Sequence, residues 1–233
     1  MSEWQWSTFF DAFPMIIQGL GVTVSLTFAC YICALIVGFI WTFAYRNPVK
    51  AVRWVLRWVS EFIRSTPPLV QLFFLFYAWP MVPVIGVTLD PFTCAILGLG
   101  IHYSTYIGEV YRSGIESVDK GQWEAATALN FSTRKKWTKI ILPQAIPPTI
   151  PMLGNYLIIM FKEVPLASTI GVVGILHLAN DYGAQYWRYL EPLTIVAIIF
   201  LVLSYPSALL VNKLEKKMNR RFDKKKILEQ TAS

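Results

Sequence analysis

The longest uncharged stretch of the chain runs from Ala12 to Tyr45 and contains no Asp, Glu, Lys or Arg. A helix rises about 1.5 Å per residue, so about 20 apolar residues cross the ~30 Å hydrocarbon core of a bilayer. The stretch is longer than one span requires. Gly19 and Gly21 predict a division into a short interfacial piece at 9–18 and a spanning helix at 21–45.

The composition excludes most classes of water-soluble protein. Apolar residues make up 55% of the chain and charged residues 15%, whereas soluble domains average roughly 45–50% and about 25%. So few charges cannot cover a water-facing surface, which argues against a soluble enzyme, a disordered tail or a collagen-like fibre. The sequence therefore predicts an all-α polytopic membrane protein.

Four further apolar runs complete a set of five predicted transmembrane helices. Pro91 is well placed to start the third of these helices. Three prolines in the first half of the fourth predict a kinked or broken start. The four runs are 68–87, 91–110, 144–161 and 190–211, and the three prolines are Pro147, Pro148 and Pro151.

The distribution of basic residues predicts the orientation. With five spans, 19 of the 21 Lys and Arg residues fall on one side, in segments 46–64, 112–139 and 213–226. Because basic loops stay in the cytoplasm, we expect the amino terminus outside and the carboxyl terminus inside. The same clustering makes nucleic-acid binding a weak alternative, despite a net charge of +7. The ambiguous stretch 164–180 then becomes an outer loop or a re-entrant segment shielded from lipid by protein.

We assign residues 1–222 to a single transmembrane domain and residues 223–233 to a basic, polar cytoplasmic tail. Within the domain, residues 49–64 place Lys50, Arg53, Arg57 and Arg64 at helical spacing among apolar residues. This pattern predicts a helix that lies at the anionic inner leaflet or leads into the second span.

The cytoplasmic loop over 113–143 is too long and too polar for a simple connection. Gln122 to Leu129 is a run of good helix formers, and Asn130 tolerates the left-handed conformation that ends a helix. A second run begins at Ser132, and we expect Pro143 to close it. Such a helix–stop–helix has no task in lipid, so we expect another protein to hold it.

The spacing of residues in this loop resembles the EAA loop of ABC importer permeases. Glu124, Ala125 and Ala126 are followed after three residues by Asn130, then after nine by Ile140, and then by Leu142 and Pro143. The family pattern is E-A-A, three residues, Gly, nine residues, I-x-L-P. The one departure is Asn130 in place of Gly, which affects the geometry of the turn.

Other stretches are similar to the branch of this type I importer family that takes up polar amino acids, including the opine-type uptake systems. The likeness covers residues from about 14 to 222. The stretches are Arg64 to Gln71 (RSTPPLVQ), Glu109 to Ile115 (EVYRSGI), and Lys162 to Ser168 (KEVPLAS), in which Val and Pro replace the usual Thr and Ser.

The resemblance implies a permease subunit of the bacterial cytoplasmic (inner) membrane whose loop docks on a separate ATPase dimer. It also implies a second permease subunit, identical or not, an extracytoplasmic solute-binding protein, and surrounding membrane lipids. The chain has no G-x-x-x-x-G-K-[ST] phosphate loop, so we expect no enzyme activity, no cofactor and no metal on it, with ATP and Mg²⁺ bound by the partner. The residues expected to couple to the ATPase are Gly121, Glu124, Ala125, Ala126, Asn130, Ile140, Leu142 and Pro143.

Polar residues in or near the predicted spans are candidates for a translocation path, although hydrogen bonding between helices is an alternative role for several of them. They are Thr66, Gln71, Asn155, Lys162, Glu163 and Ser168. We expect Glu109 and Arg112 to form a local ion pair. We expect His102 and His177 to be packed or hydrogen-bonded side chains.

Two functions remain open at this point. The first is the permease of an ATP-driven importer for a polar amino acid or an ectoine-like solute. The second is a free-standing secondary transporter or scaffold, whose basic loops only touch lipid. A co-purifying ATPase that depends on residues 124–130 distinguishes the first from the second.

Overall fold

The computed structural model describes residues 3–231 and the side chains of residues 3–218, and within this range it contains helices and no strand. The ten α-helices are α1 (Trp6–Gln18), α2 (Leu20–Ala44), α3 (Lys50–Ser65), α4 (Pro68–Phe73), α5 (Pro91–Glu116), α6 (Lys120–Ala128), α7 (Thr133–Lys135), α8 (Leu142–Glu163), α9 (Ile175–Tyr186) and α10 (Leu190–Thr231). Short π and 3₁₀ turns extend α4 as far as Met81.

Three helices are long and apolar enough to cross a membrane: Leu20–Ala44, Thr133–Ile170 and Leu190–Met218. The apolar helix Pro68–Met81 is shorter, and α5 covers the predicted span 91–110. The predicted all-helical membrane fold is therefore confirmed for the described residues. Helix α10 continues well past residue 211, and the side chains of the predicted tail 223–233 lie outside the described residues.

The predicted division of the first apolar run is confirmed. Helix α1 ends at Gln18 and α2 begins at Leu20. A side chain at Gly19 would lie 2.6 Å from the backbone carbon of Gly174, so only glycine permits this approach. The backbone N–H of Ile175 also donates a hydrogen bond to Thr23 Oγ1 at 3.1 Å. These contacts bring the start of α9 against the α1–α2 junction.

Two hydrophobic clusters hold the helices together. The larger joins α2, α5 and α8 through fully buried side chains such as Leu26, Leu99 and Met160. The second packs α1 and α9 on α10, with Ile16, Ile175 and others at its centre. These contacts link segments that are far apart in the chain.

One expectation about prolines is wrong, because Pro143 does not close the second helical run of the loop over 113–143. Pro147, Pro148 and Pro151 do not break the fourth predicted span, while the predicted alternative, a kink, stays a prediction. Instead α7, a π-helical segment at Lys136–Ile141 and α8 form one continuous helix. Pro143 lies directly after the π segment, where the regular hydrogen-bond pattern of the α-helix is already interrupted. Packing explains why α8 continues through its later prolines, because Thr149 and Pro151 are buried against neighbouring helices.

The stretch from residue 164 onward folds back into the protein. A 3₁₀ helix, Val164–Ile170, ends at Gly171, whose φ of 94° requires glycine. Helix α9 follows. Ala167, Ile170 and Ala179 are buried, as a re-entrant segment shielded by protein requires.

Candidate functional site

Helix α6, in the loop over 113–143, has a capped start. The Asp119 side chain accepts a hydrogen bond from the backbone N–H of Gly121 at 2.7 Å. An aspartate at this position satisfies a donor that the first helical turn leaves free. Gly121 is therefore placed at the capped end of α6, and the helix begins two residues earlier than Gln122, where the run of helix formers starts.

The end of α6 is a Schellman motif centred on Asn130. Asn130 is left-handed, with φ at 52°. Its N–H donates to the Thr127 carbonyl, and the Phe131 N–H donates to the Ala126 carbonyl, both at 3.0 Å. Asparagine is thus able to supply the left-handed conformation for which the EAA pattern uses glycine.

The two alanines of the pattern face opposite ways. Ala125 and Glu124 are exposed, whereas Ala126 is only 1% exposed. The methyl group of Ala126 therefore packs inside this chain and is not available for direct approach by a partner. Glu124 takes part in no salt bridge within residues 3–218, so its carboxylate is available to a basic residue of a partner. Leu129, 67% exposed, adds an apolar contact to the same surface.

Two tryptophans connect α6 to the rest of the protein. Trp123 and Trp137 meet edge to face, and Trp137 also lies against Phe43, with centroids 6.1 Å apart. The Arg46 guanidinium stands over Trp137 at 5.2 Å from its centroid. A small core of Ile115, Val118, Ile141 and Ala145 backs these rings. Sequence reasoning missed both tryptophans, although their place in the EAA loop was a signal.

Side chains that neighbour the pattern residues tie the continuous helix to α6. Gln144 Nε2 donates to the Ile140 carbonyl at 2.9 Å and to Gln122 Oε1 at 3.3 Å. Lys136 Nζ donates to Thr127 Oγ1 at 2.8 Å. Ile140 and Leu142 are half-buried and Pro143 is exposed. The loop is therefore a compact unit and not a flexible connection.

Of the predicted path residues, the structure brings two together. Gln71 Nε2 donates to Thr66 Oγ1 at 2.6 Å and to the Ile63 carbonyl at 2.7 Å. His102 Nδ1 lies 3.2 Å from Gln71 Oε1, and the ring is 5% exposed. The expectation of a hydrogen-bonded His102 is confirmed. This polar group joins the α3–α4 break to the middle of α5.

Three tyrosines that sequence reasoning missed extend this polar group. Tyr106 lies next to His102, with ring centroids 5.6 Å apart, and next to Tyr156, at 6.0 Å. Tyr103 lies 6.4 Å from Tyr156 in the same cluster. Their spacing on α5 gave no signal that α8 would supply the third ring.

The remaining predicted path residues are Asn155, Lys162, Glu163 and Ser168. Asn155 and Lys162 are exposed, and no salt bridge joins Lys162 to Glu163 within the described side chains. The Ser168 carbonyl lies 3.3 Å from His177 Nδ1, so His177 also has the polar contact expected of it.

A polar cavity of about 380 Å³ lies between the ends of α2, α3 and α5. Arg112, on its wall, forms ion pairs with Glu109 and with Glu116, which confirms the predicted local pair and adds a second carboxylate. The hydrogen bonds that Arg112 donates to Glu109 and Glu116 raise the pKa of Arg112 above its ordinary value. The pairs fix the arginine on the helix surface.

Comparison with protein families gives one match that covers most of the chain. Residues 31–220 match the family described as binding-protein-dependent transport system inner membrane component. The chain is 39% identical over 208 residues to a probable amino-acid ABC transporter permease of Sinorhizobium fredii, covering 89% of each. It is 34% identical over 211 residues to an L-cystine transport system permease of Bacillus subtilis, covering 89% of this chain and 88% of the other.

Solved structures agree with this match. An amino acid ABC transporter crystallised with histidines superposes with a TM-score of 0.84 at 30% identity, covering 93% of this chain and all of that one. The MetNI methionine ABC transporter, in an inward-facing form, shares the fold at a TM-score of 0.70 and 17% identity, covering 88% and 96%.

Proposed function

Because the chain belongs to the family of binding-protein-dependent transport system inner membrane components, we propose that it is the permease subunit of an ATP-driven importer for a polar amino acid or a similar small zwitterionic solute. Family membership makes it a non-catalytic membrane subunit. It also favours the importer over a free-standing secondary transporter or scaffold.

We propose five spans with the amino terminus outside and the carboxyl terminus inside, so that the protein is multi-pass in the bacterial inner membrane. The charge distribution supports this topology, because 19 of 21 basic residues then lie on the cytoplasmic side. Helix α6 accordingly stands on that side, where an ATPase can reach it.

The exposed face of α6 carries the proposal. It offers Glu124, Ala125 and Leu129 on a short helix that is capped at both ends. A carboxylate beside small and apolar side chains fits a groove on another protein that contains a basic residue. When the groove moves, it displaces the rigid helix α6. Because the packing between the spanning helices has two stable arrangements, this displacement switches the permease between its inward- and outward-facing states.

The partners follow from this role. A dimer of separate ATPase subunits binds ATP and Mg²⁺, and the hydrolysis of ATP supplies the energy for the cycle. A second permease subunit, identical or similar, completes the pathway, and an extracytoplasmic binding protein delivers the solute. The names of the relatives, amino-acid and L-cystine permeases, support an amino acid over an ectoine-like solute.

Co-purification tests the proposal. The permease is extracted from native membranes in mild detergent, and ATPase subunits and ATP hydrolysis are measured in the eluate. We expect the wild type to retain an ATPase, and Glu124→Arg to lose it because the substitution reverses the charge on the exposed face of α6.

Glu215→Arg is the matched control, since Glu215 is also exposed and lies on the same proposed side of the membrane. We expect it to retain the ATPase. A wild-type permease that elutes without any ATPase, or equal loss from both variants, would contradict the proposed coupling surface.

A further inference from the structure

Helix α3 has two cavities beside it that share one residue. The first is open, with a volume of about 510 Å³, and is lined by Lys50, Arg53, Trp54, Arg57 and Ala51. The second is the polar cavity of about 380 Å³ between α2, α3 and α5. Arg57 lines both, so the two cavities adjoin each other along α3, from Lys50 to Arg64.

The positive charges around these cavities are only partly neutralised. Arg64 pairs with Glu61 at 2.7 Å, and Arg112 pairs with Glu109 and Glu116. In contrast, no carboxylate lies within salt-bridge distance of Lys50, Arg46 or Arg57 among the described side chains. Since every carboxylate that lines the second cavity already has an arginine, the unpaired cations are available to an anion.

The rest of α3 shows what kind of anion fits. The adjoining face presents Trp54, Trp58 and Phe62, each more than 60% exposed. These residues follow one another at intervals of four and form one apolar stripe. At 1.5 Å per residue, the stripe extends about 12 Å along the helix from Trp54, which itself lines the basic cleft. A basic cleft that continues into an exposed aromatic stripe matches an anionic head group followed by acyl chains.

We propose that α3 is a binding site for one anionic phospholipid, whose phosphate contacts Lys50, Arg53 and Arg57 and whose acyl chains lie along Trp54, Trp58 and Phe62. Arg46 stands across the adjoining cavity. The proposed topology places this site at the inner leaflet, where anionic lipids collect. Coupling to the ATPase through α6 does not require the site.

Native mass spectrometry of the purified permease tests the proposal, with phosphatidylglycerol and phosphatidylcholine as probes. We expect one retained phosphatidylglycerol and no retained phosphatidylcholine. Each cation near a lipid surface strengthens anion binding roughly fivefold. The double variant Arg53→Gln and Arg57→Gln should therefore raise the dissociation constant about 25-fold, and Arg46→Gln should raise it up to about fivefold.

The control is Lys216→Gln with Lys217→Gln, which removes the same charge from exposed positions on α10, outside the loop proposed to bind the ATPase. Equal weakening in this control, or unchanged binding in the α3 variant, overturns the proposal. So does displacement of the lipid by millimolar inorganic phosphate but not by chloride of equal ionic strength, because the site then selects a soluble anion. A monodisperse gel-filtration profile and the retained ATPase show that each variant folds.

Co-purification of the ATPase separates this proposal from the proposed function. Loss of the lipid with the ATPase retained overturns neither coupling nor topology. A wild-type permease that retains the lipid and no ATPase overturns the coupling role and leaves the lipid site standing.

Discussion

The indole rings of Trp123 and Trp137 meet edge to face, with their centroids 5.3 Å apart and their planes at 85°. Trp123 lies on α6, and Trp137 lies in the π segment that leads into α8. Because Trp137 also contacts Phe43 and Arg46 at the end of α2, one side chain joins the exposed helix to two long helices. A force applied to α6 has a direct route into the membrane domain.

Replacing Trp137 tests this route. Trp137→Ala removes an aromatic pair and a cation–π contact, which together stabilise the loop by about 2 kcal/mol. We expect the ATPase to bind still, while solute uptake per ATP hydrolysed falls at least severalfold in proteoliposomes. Trp187→Ala, at an 87% exposed tryptophan, should leave this ratio unchanged. A normal ratio in Trp137→Ala would show that α6 acts by another route.

The left-handed residue of α6 gives a second prediction. Asn130→Gly should keep the Schellman motif and full ATPase co-purification, because glycine adopts a positive φ without strain. Asn130→Val should cost about 1–2 kcal/mol, since a β-branched residue resists that conformation. Thermal unfolding in detergent and co-purification measure the two effects. Equal behaviour of the two variants would mean that the turn is not required.

Gln71 holds the break between α3 and α4. Gln71→Leu removes the donors to Thr66 and Ile63 and the acceptor facing His102. We expect a loss of about 2 kcal/mol and a lower midpoint of thermal unfolding, because buried His102 and half-buried Thr66 and Ile63 each lose a hydrogen-bond partner. Gln185→Leu, at an exposed glutamine, serves as the control and should leave the midpoint within about one degree of the wild type.

A buried ion pair anchors the start of the described chain. Glu191 is fully buried, pairs with Arg188, and accepts a hydrogen bond from the Gln5 N–H at 2.9 Å. Glu191→Leu leaves Arg188 without its carboxylate and should cost about 3 kcal/mol. By comparison, Glu61→Leu breaks an exposed pair with Arg64 and should cost less than about 1 kcal/mol. Similar unfolding midpoints for the two variants would contradict the prediction that the buried pair contributes more to stability than the exposed pair.

Local signals in the sequence predicted several elements. The break at Gly19, the start of α5 at Pro91 and the end of α6 near Asn130 each depend on the conformational preferences of one or two residues. Such preferences act over a few residues of chain. The preferences predict the structure correctly at these positions because the packing of the surrounding helices favours the same conformations.

Contacts between distant segments were beyond sequence reasoning. Whether Ala125 or Ala126 faces a partner depends on which side of α6 packs against the loop core, and the adjacent positions carry identical side chains. The continuous helix through Pro143 and Pro151 depends on a π segment and on burial by neighbouring helices. The cluster of Tyr106 and Tyr156 forms only once α5 and α8 are side by side.

Site-directed cross-linking tests the central claim most directly. With Cys30, Cys33 and Cys94 replaced by alanine, single cysteines at Ala125→Cys and Ala126→Cys are treated in native membranes with a short bifunctional thiol-to-amine reagent. The exposed face of α6 predicts a cross-link from position 125 to an ATPase subunit and little or none from the buried position 126. Absence of a cross-link from both, or equal yields from both, would contradict the account of α6 as the surface that couples the permease to its ATPase.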